Sequence, residues 1–194
     1  MRWEVLRSEI VYRCRLFALR RDQSRSVQSG RTSDFHVLET DDWVNVIPLT
    51  ADQHVVMVRQ YRHGIRDLTL EVPAGLMDAG DRSPAEAAGR ELREETGYAA
   101  SAVVPLGVVH PNPAILNNRC HMFVAHDVRC VGAPCWDETE EIGVETVPLS
   151  HIPKLIQEGE ISNALTLVAF HLLGLQGHEL PAPSSLAPDP GRAG

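Results

Sequence analysis

Apolar residues recur along this chain in short blocks separated by turn-forming residues, a spacing that predicts many strands and few helices. Residues 43–49 and 55–58 form two such blocks, joined by the polar sequence TADQH. The run Val55, Val56, Met57, Val58 is apolar at both parities, as expected of a strand buried on both faces. Residues 68–72 alternate and lead into Pro73, Ala74 and Gly75, while blocks at 102–109, 122–125 and 144–149 predict further strands. Helical periodicity is expected at 84–96, 150–158 and 163–175, the last two separated at Gly159. The segment NALTLVAFHLLGL is apolar nearly all round, which predicts burial against a sheet with His171 inside the core.

Ahead of these elements, residues 3–12, 15–19 and 35–38 predict a small sheet interrupted by a polar break at 21–33. A sheet of that size cannot bury itself and must pack on the following domain or on another subunit. From Gly177 onward the sequence is rich in Pro, Gly and Ser and predicts a flexible tail. The expected organisation is a β extension at 1–41, one α/β domain at 42–176, and the tail at 177–194.

Composition narrows this picture. With 194 residues, 43% of them hydrophobic and 23% charged, the chain is ordinary globular material with one sizeable core. A formal charge of -8 without a basic stretch argues against a nucleic-acid partner. No apolar run approaches the length of a membrane span and no signal-like segment opens the chain, so a cytoplasmic protein without a membrane partner is expected. Cys14, Cys120, Cys130 and Cys135 lack CxxC spacing and read as free thiols; a zinc site with His121 or His126 fits no ordinary module.

The chemistry gathers between Gly75 and Tyr98. Ser83 followed by Pro84 and Glu86 is a capping box, and Gly97 is the matching stop. Between them, Glu91, Glu94 and Glu95 fall on one face, beside a mainly apolar stripe of Ala85, Ala88, Leu92 and Thr96. Carboxylates so placed repel one another, and Arg90 lies at the edge of their arc. A hard divalent cation such as Mg²⁺, which binds oxygen ligands and bridges carboxylates to phosphates, suits the face better.

This stretch resembles the signature of the Nudix hydrolase family, with Gly75, Arg90, Glu91, Leu92, Glu94, Glu95 and Gly97 at the pattern's positions. Asp81 stands in place of the first glutamate, separated from Arg90 by eight residues rather than seven, and Tyr98 replaces the final aliphatic residue. The resemblance implies a Nudix-type α/β/α sandwich with a mixed sheet, over about residues 42–175. It further implies Mg²⁺, with Mn²⁺ as a substitute, held by the Ala74 carbonyl, Glu91, Glu95 and Glu94, with Gly75, Arg90 and Gly97 in structural roles. Members that cleave ADP-ribose carry a comparable N-terminal sheet that is exchanged across a homodimer, so a homodimer is expected.

The same resemblance assigns phosphate binding to Arg62 beside Tyr61, against the alternative of a surface arginine. Glu71 is either an acid supporting the site or a solvated strand residue. Pro113, sixteen residues past Gly97, fits the ADP-ribose class, whereas the sequence AILNNR after it resembles a nucleoside-diphosphate-sugar branch. Asn118 and Arg119 are candidate sugar or phosphate contacts, or a plain polar loop. In the acidic segment WDETEEI, Glu138 is the expected general base, with Glu140 as the alternative. The implied reaction is hydrolysis of the diphosphate in ADP-ribose or a nucleoside diphosphate sugar, giving a nucleoside monophosphate and a sugar phosphate. A regulatory Nudix module without turnover and an enzyme acting on RNA 5′ ends are the alternatives.

Overall fold

The computed structural model describes residues 1–136 and 141–177. The expected tail beyond Gly177 lies outside the described residues, as do Glu138 and Glu140. In chain order the elements are β1 (Trp3–Arg13), β2 (Ala18–Ser26), β3 (Thr32–Glu39), β4 (Trp43–Pro48), β5 (His54–Arg62), β6 (Asp67–Glu71) and β7 (Ala74–Leu76). There follow α1 (Pro84–Thr96), β8 (Tyr98–Ala99), β9 (Val103–Val109), β10 (Cys120–Ala125), β11 (Arg129–Cys130) and β12 (Ile142–Pro148). A 3₁₀ turn (Leu149–His151) then leads into α2 (Ile152–Gln157) and α3 (Ala164–Leu175).

Two sheets and two helical layers share the core. The larger sheet has the order β7-β4-β10-β9, with β4 and β10 parallel and the other pairs antiparallel, while β12-β5-β6 is antiparallel throughout. Period-two alternation gives β4 two buried faces. Val44 and Val46 pack with Ala87, Ala88 and Leu92 of α1, whereas Ile47 joins Phe170, Ala169 and Leu173 of α3. Leu70 and Val72 lie in that second cluster with Val55 and Met57, so both sheets close on one core. The α/β class and the helix-covered mixed sheet thus stand as expected.

Several boundaries differ. β2 continues into the expected polar break as far as Ser26, because its polar residues are matched across the sheet. Arg25 pairs with Glu4 at 2.7 Å, Ser8 donates to Asp22 at 2.6 Å, and Arg20 reaches Asp22 and Glu39. Cross-strand ion pairs support the ladder where apolar alternation is missing. The capping box closes one residue early: Ser83 Oγ accepts from the Glu86 N–H, but Glu86 Oε2 accepts from Arg82 N–H at 2.8 Å. α3 buries Thr166, Ala169, Phe170 and Leu173 and leaves His171 on the exposed side, so the helix is one-sided despite its apolar sequence.

The loop carrying Asn118 and Arg119 ties the N-terminal sheet to the domain. Leu38 N–H donates to Ile115 O at 2.7 Å, Thr40 N–H to Asn117 Oδ1 at 3.1 Å, and Arg119 N–H to Asp42 Oδ1 at 2.8 Å. His121 also bonds Asp42, at 3.0 Å.

Candidate active site

Where β7 passes the middle of α1, the chain opens into a cavity of about 840 Å³. Each wall follows from local rules. On the α1 side, helical spacing brings Arg90, Glu91, Glu94 and Glu95 to the cavity. Gly97 terminates the helix at φ 74°, and a Cβ there would lie 2.3 Å from the Gly132 carbonyl oxygen, so both conformation and space require glycine.

Arg90 is the anchor of this wall. It donates to Asp81 at 2.9 Å, Glu91 at 2.8 Å, Glu94 at 2.9 Å and the Leu76 carbonyl at 3.0 Å. The Asp81 hydrogen bonds, joined by the nearby glutamates, hold the guanidinium even more firmly protonated than usual. Asp81 in turn is held below the ordinary carboxylate range, chiefly by Arg90. Its side chain is almost fully buried against that arginine and lies outside the cavity, so it is a partner of Arg90.

β7 is fastened to the helix at two points. Glu95, nearly buried, accepts the Ala74 N–H at 3.0 Å, and Arg90 holds Leu76. N–H and C=O of one strand residue leave the chain on the same side, so the Ala74 carbonyl also faces α1. A Cβ on Gly75 would sit 2.2 Å from Glu91 Oε1, which means the glutamate occupies the space that any side chain there would fill. Carbonyl and carboxylate oxygens therefore converge around β7, a donor set that suits a hard divalent cation. As placed, no three Asp, Glu, His or Cys side chains among the described residues form a ready metal cluster, since Arg90 spans Glu91 and Glu94.

The facing wall comes from β5, β6 and the start of α3. Alternation along β5 sends Gln60 and Arg62 to the cavity and Tyr61 away from it, where Tyr61 stacks edge-on with His63 at 5.1 Å. Arg62 makes a two-point pair with Glu71 at 2.8 Å through both carboxylate oxygens. Glu71 is 1% exposed and also accepts from Thr69 and from Asn163 Nδ2, the latter at 2.9 Å. Burial works against its ionisation, yet the Arg62, Thr69 and Asn163 hydrogen bonds prevail and hold the carboxyl below its ordinary range. Asn163 caps α3 through Oδ1, accepting from Leu165 and Thr166, so one side chain fixes the helix start and Glu71 together.

Of the residues expected at the site, the cavity brings together Arg62, Ala74, Gly75, Arg90, Glu91, Glu94 and Glu95. Tyr61, Asn118 and Arg119 do not line it. Asn118 is buried and donates to the Asp41 carbonyl at 3.2 Å, consistent with its place in the loop that ties down the N-terminal sheet. The expected bases Glu138 and Glu140 lie outside the described residues, and the chain just before them is anchored at the cavity. Cys135 N–H donates to Glu94 O at 2.8 Å and Trp136 Nε1–H to Glu95 O at 2.9 Å, satisfying two carbonyls at the end of α1.

Residues not anticipated from the sequence complete the lining: Arg15 and Leu16 from the β1–β2 turn, Trp43 and Asn45 of β4, and Asn163. Two left a trace in the sequence: Asn45 interrupts the apolar run WVNVIP, and Asn163 stands at a capping position before an apolar helix.

Fold and site together define a pyrophosphohydrolase of the Nudix class. Residues 40–167 match the NUDIX domain, and the chain belongs to that family. It is 31% identical over 166 residues to the ADP-ribose pyrophosphatase of Mycobacterium tuberculosis, covering 85% of this chain and 80% of that one. It is 29% identical over 149 residues to the ADP-ribose pyrophosphatase of Bacillus subtilis, covering 76% and 80%. Among solved structures, that of an ADP compounds hydrolase superposes with a TM-score of 0.81 at 26% identity, covering 93% of this chain and 98% of the other.

Proposed function

We propose that this chain hydrolyses the diphosphate bond of ADP-ribose or a closely similar nucleoside diphosphate sugar, releasing a nucleoside monophosphate and a sugar phosphate. The observation that carries the reading is the opposition of the two walls: the acids of α1 gather at Ala74 and Gly75, opposite an arginine backed by buried Glu71. The names of the M. tuberculosis and B. subtilis relatives support the choice of substrate.

The Ala74 carbonyl, Glu91, Glu94 and Glu95 are the residues that would hold Mg²⁺, or Mn²⁺ in its place. When bound, the metal neutralises the diphosphate and lowers the pKa of an attacking water. Glu94, with its side chain 46% exposed, has the freedom to turn from Arg90 towards an ion. Gly75 lets Glu91 approach the β7 backbone, and Arg90 holds β7 against the helix. Arg62, aimed by Glu71, donates to phosphate oxygen. Glu138 accepts the proton of the attacking water, with Glu140 as the other candidate; in the sequence they follow Trp136, whose indole bonds the Glu95 carbonyl.

The N-terminal sheet supports assembly as a homodimer: Val5, Ile10, Val11, Tyr12 and Phe35 stand exposed on it, an apolar surface that a second copy would cover. No helix among the described residues is long and apolar enough to cross a membrane, and a cytoplasmic location fits the cysteines, which are all free.

The test is incubation with Mg²⁺ and, separately, ADP-ribose, GDP-mannose, UDP-glucose, NADH and capped RNA, with chromatographic identification of products. AMP and ribose 5-phosphate from ADP-ribose is the expected result. Turnover of capped RNA alone would transfer the protein to RNA-end processing. Absence of turnover with all five would leave a binding module.

A further inference from the structure

A polar side chain with an unused donor stands inside the cavity. Asn45 is 2% exposed, lies in the middle of β4, and lines the cavity between the two walls. Its Oδ1 is taken: the Cys120 thiol donates to it from the neighbouring strand β10 at 3.1 Å. Cys120 is fully buried, and burial, reinforced by the nearby Asp42 charge, pushes its thiol up to about 12, so the sulfur keeps the proton it donates to Oδ1. With Oδ1 occupied, the two N–H donors of the amide must point elsewhere. Among the described residues, nothing accepts from Nδ2.

Lining the cavity, the amide nitrogen is free to donate to an acceptor that a ligand brings there. The location says which part of a ligand does so. Asn45 is the β4 residue directly opposite Ala74 in the β4–β7 pairing, so its side chain stands beside the strand around which the acids converge. Asn45 thus lines the same cavity as the glutamates of α1 and Arg62. On the diphosphate reading, an oxygen held beside Ala74 belongs to the diphosphate itself, since the acids that would hold its metal converge on that strand. A neutral donor at this point adds a hydrogen bond to phosphate without pairing with the glutamates, as a lysine or arginine would.

We propose that Asn45 is a substrate-contacting residue that donates from Nδ2 to a phosphate oxygen of the bound diphosphate, and that Cys120 is its positioning residue. The inference rests on the reading of the cavity as a diphosphate site. It predicts a graded set of effects. Asn45→Asp places a carboxylate against phosphate, Asn45→Ala removes the donor, and Cys120→Ala frees the amide to turn over. Cys120→Ser restores a donor to Oδ1.

Two measurements test it. Titration calorimetry with ADP in the presence of Mg²⁺ reads binding to the diphosphate directly, and steady-state hydrolysis of ADP-ribose separates KM from kcat. Asn45→Asp is expected to weaken ADP binding and raise the KM at least tenfold, and Asn45→Ala about tenfold. Cys120→Ala gives a loss of about threefold, and Cys120→Ser returns to within a factor of two of the wild type. The kcat changes less than KM in every case. Circular dichroism identifies folded variants, and Asn45→Ala, which buries no charge, decides the matter if Asn45→Asp does not fold. The wild type failing to bind ADP, or Asn45→Ala binding it as well as the wild type, overturns the assignment. Equal ADP affinity for the serine and alanine variants at Cys120 overturns the positioning role. ADP binding that responds to Asn45 in a protein that leaves ADP-ribose intact would uphold the contact while refuting the proposed substrate.

Discussion

The two walls of the cavity are built as inverses of each other. On α1, acids face the cavity with one arginine among them: Arg90 collects Asp81, Glu91, Glu94 and the Leu76 carbonyl. Across the cavity, Arg62 faces inward and an acid stands behind it, Glu71, which is buried and held from three directions. On the proposed reading, the first wall takes a cation and the second an anion. A diphosphate carried with a divalent ion presents both, so the pair of walls explains the ligand better than either alone.

The strongest way to break this comparison is to remove one charge from the acid wall without altering its shape. Glu95→Gln keeps an oxygen for the Ala74 N–H and so keeps β7 in place. We expect kcat to fall about a thousandfold or more while the thermal midpoint moves little. A rate close to the wild type would take Glu95 out of the ligand set. Glu138→Gln is expected to lower kcat about a hundredfold, with the loss growing smaller at high pH as hydroxide replaces the assisted water. Unchanged turnover in that variant would move the role of base to Glu140.

Gly75→Ala sharpens the comparison by steric means alone. The added methyl would meet Glu91 Oε1 at 2.2 Å, so the glutamate must swing off the β7 backbone. The acid wall keeps its charge and loses its convergence, and we expect a kcat loss of about thirtyfold with a higher Mg²⁺ requirement. A magnesium titration followed by activity measures it. An unaltered magnesium midpoint would show that Glu91 does not need that position.

The walls also differ in how far the sequence discloses them. Arg90, Glu91, Glu94 and Glu95 lie within a turn and a half of one helix, and its cap, Pro84 and stop at Gly97 are all local signals, so periodicity suffices. Gln60, Arg62, Glu71 and Asn163 come from three elements, and nothing local pairs Arg62 with Glu71. That pair depends on the β5–β6 register, which sets Gln60 against Thr69, and on α3 beginning at Asn163. β2 was obscured for a related reason: its partners are charges on β1 and β3, invisible to a pattern read along one strand. Asn118 and Arg119 show the converse. Their residue types suit ligand binding, yet the fold uses their loop to fasten the N-terminal sheet.

The gentlest perturbation acts on the hidden partner of the phosphate-facing wall. Glu71→Gln preserves volume but sets an amide against the Arg62 guanidinium, so Arg62 loses one of its two acceptors. We expect KM to rise about fivefold with kcat nearly unchanged, because Arg62 is misaimed and not removed. Stability should follow pH in a definite sense. The Glu71 carboxyl lies below its ordinary value of 4.5 in the folded chain and returns to it on unfolding, so the stability it contributes is complete above that value. It is lost as the pH falls through the lower folded value, and the glutamine variant has no such titration. Wild type and variant should therefore differ by about 2 kcal/mol at pH 7, a figure reduced for the 39% exposure of the Arg62 side chain. That difference should shrink as urea midpoints are taken at successively more acid pH. A gap of constant size across the range would mean that Glu71 stabilises this wall by shape and not by charge.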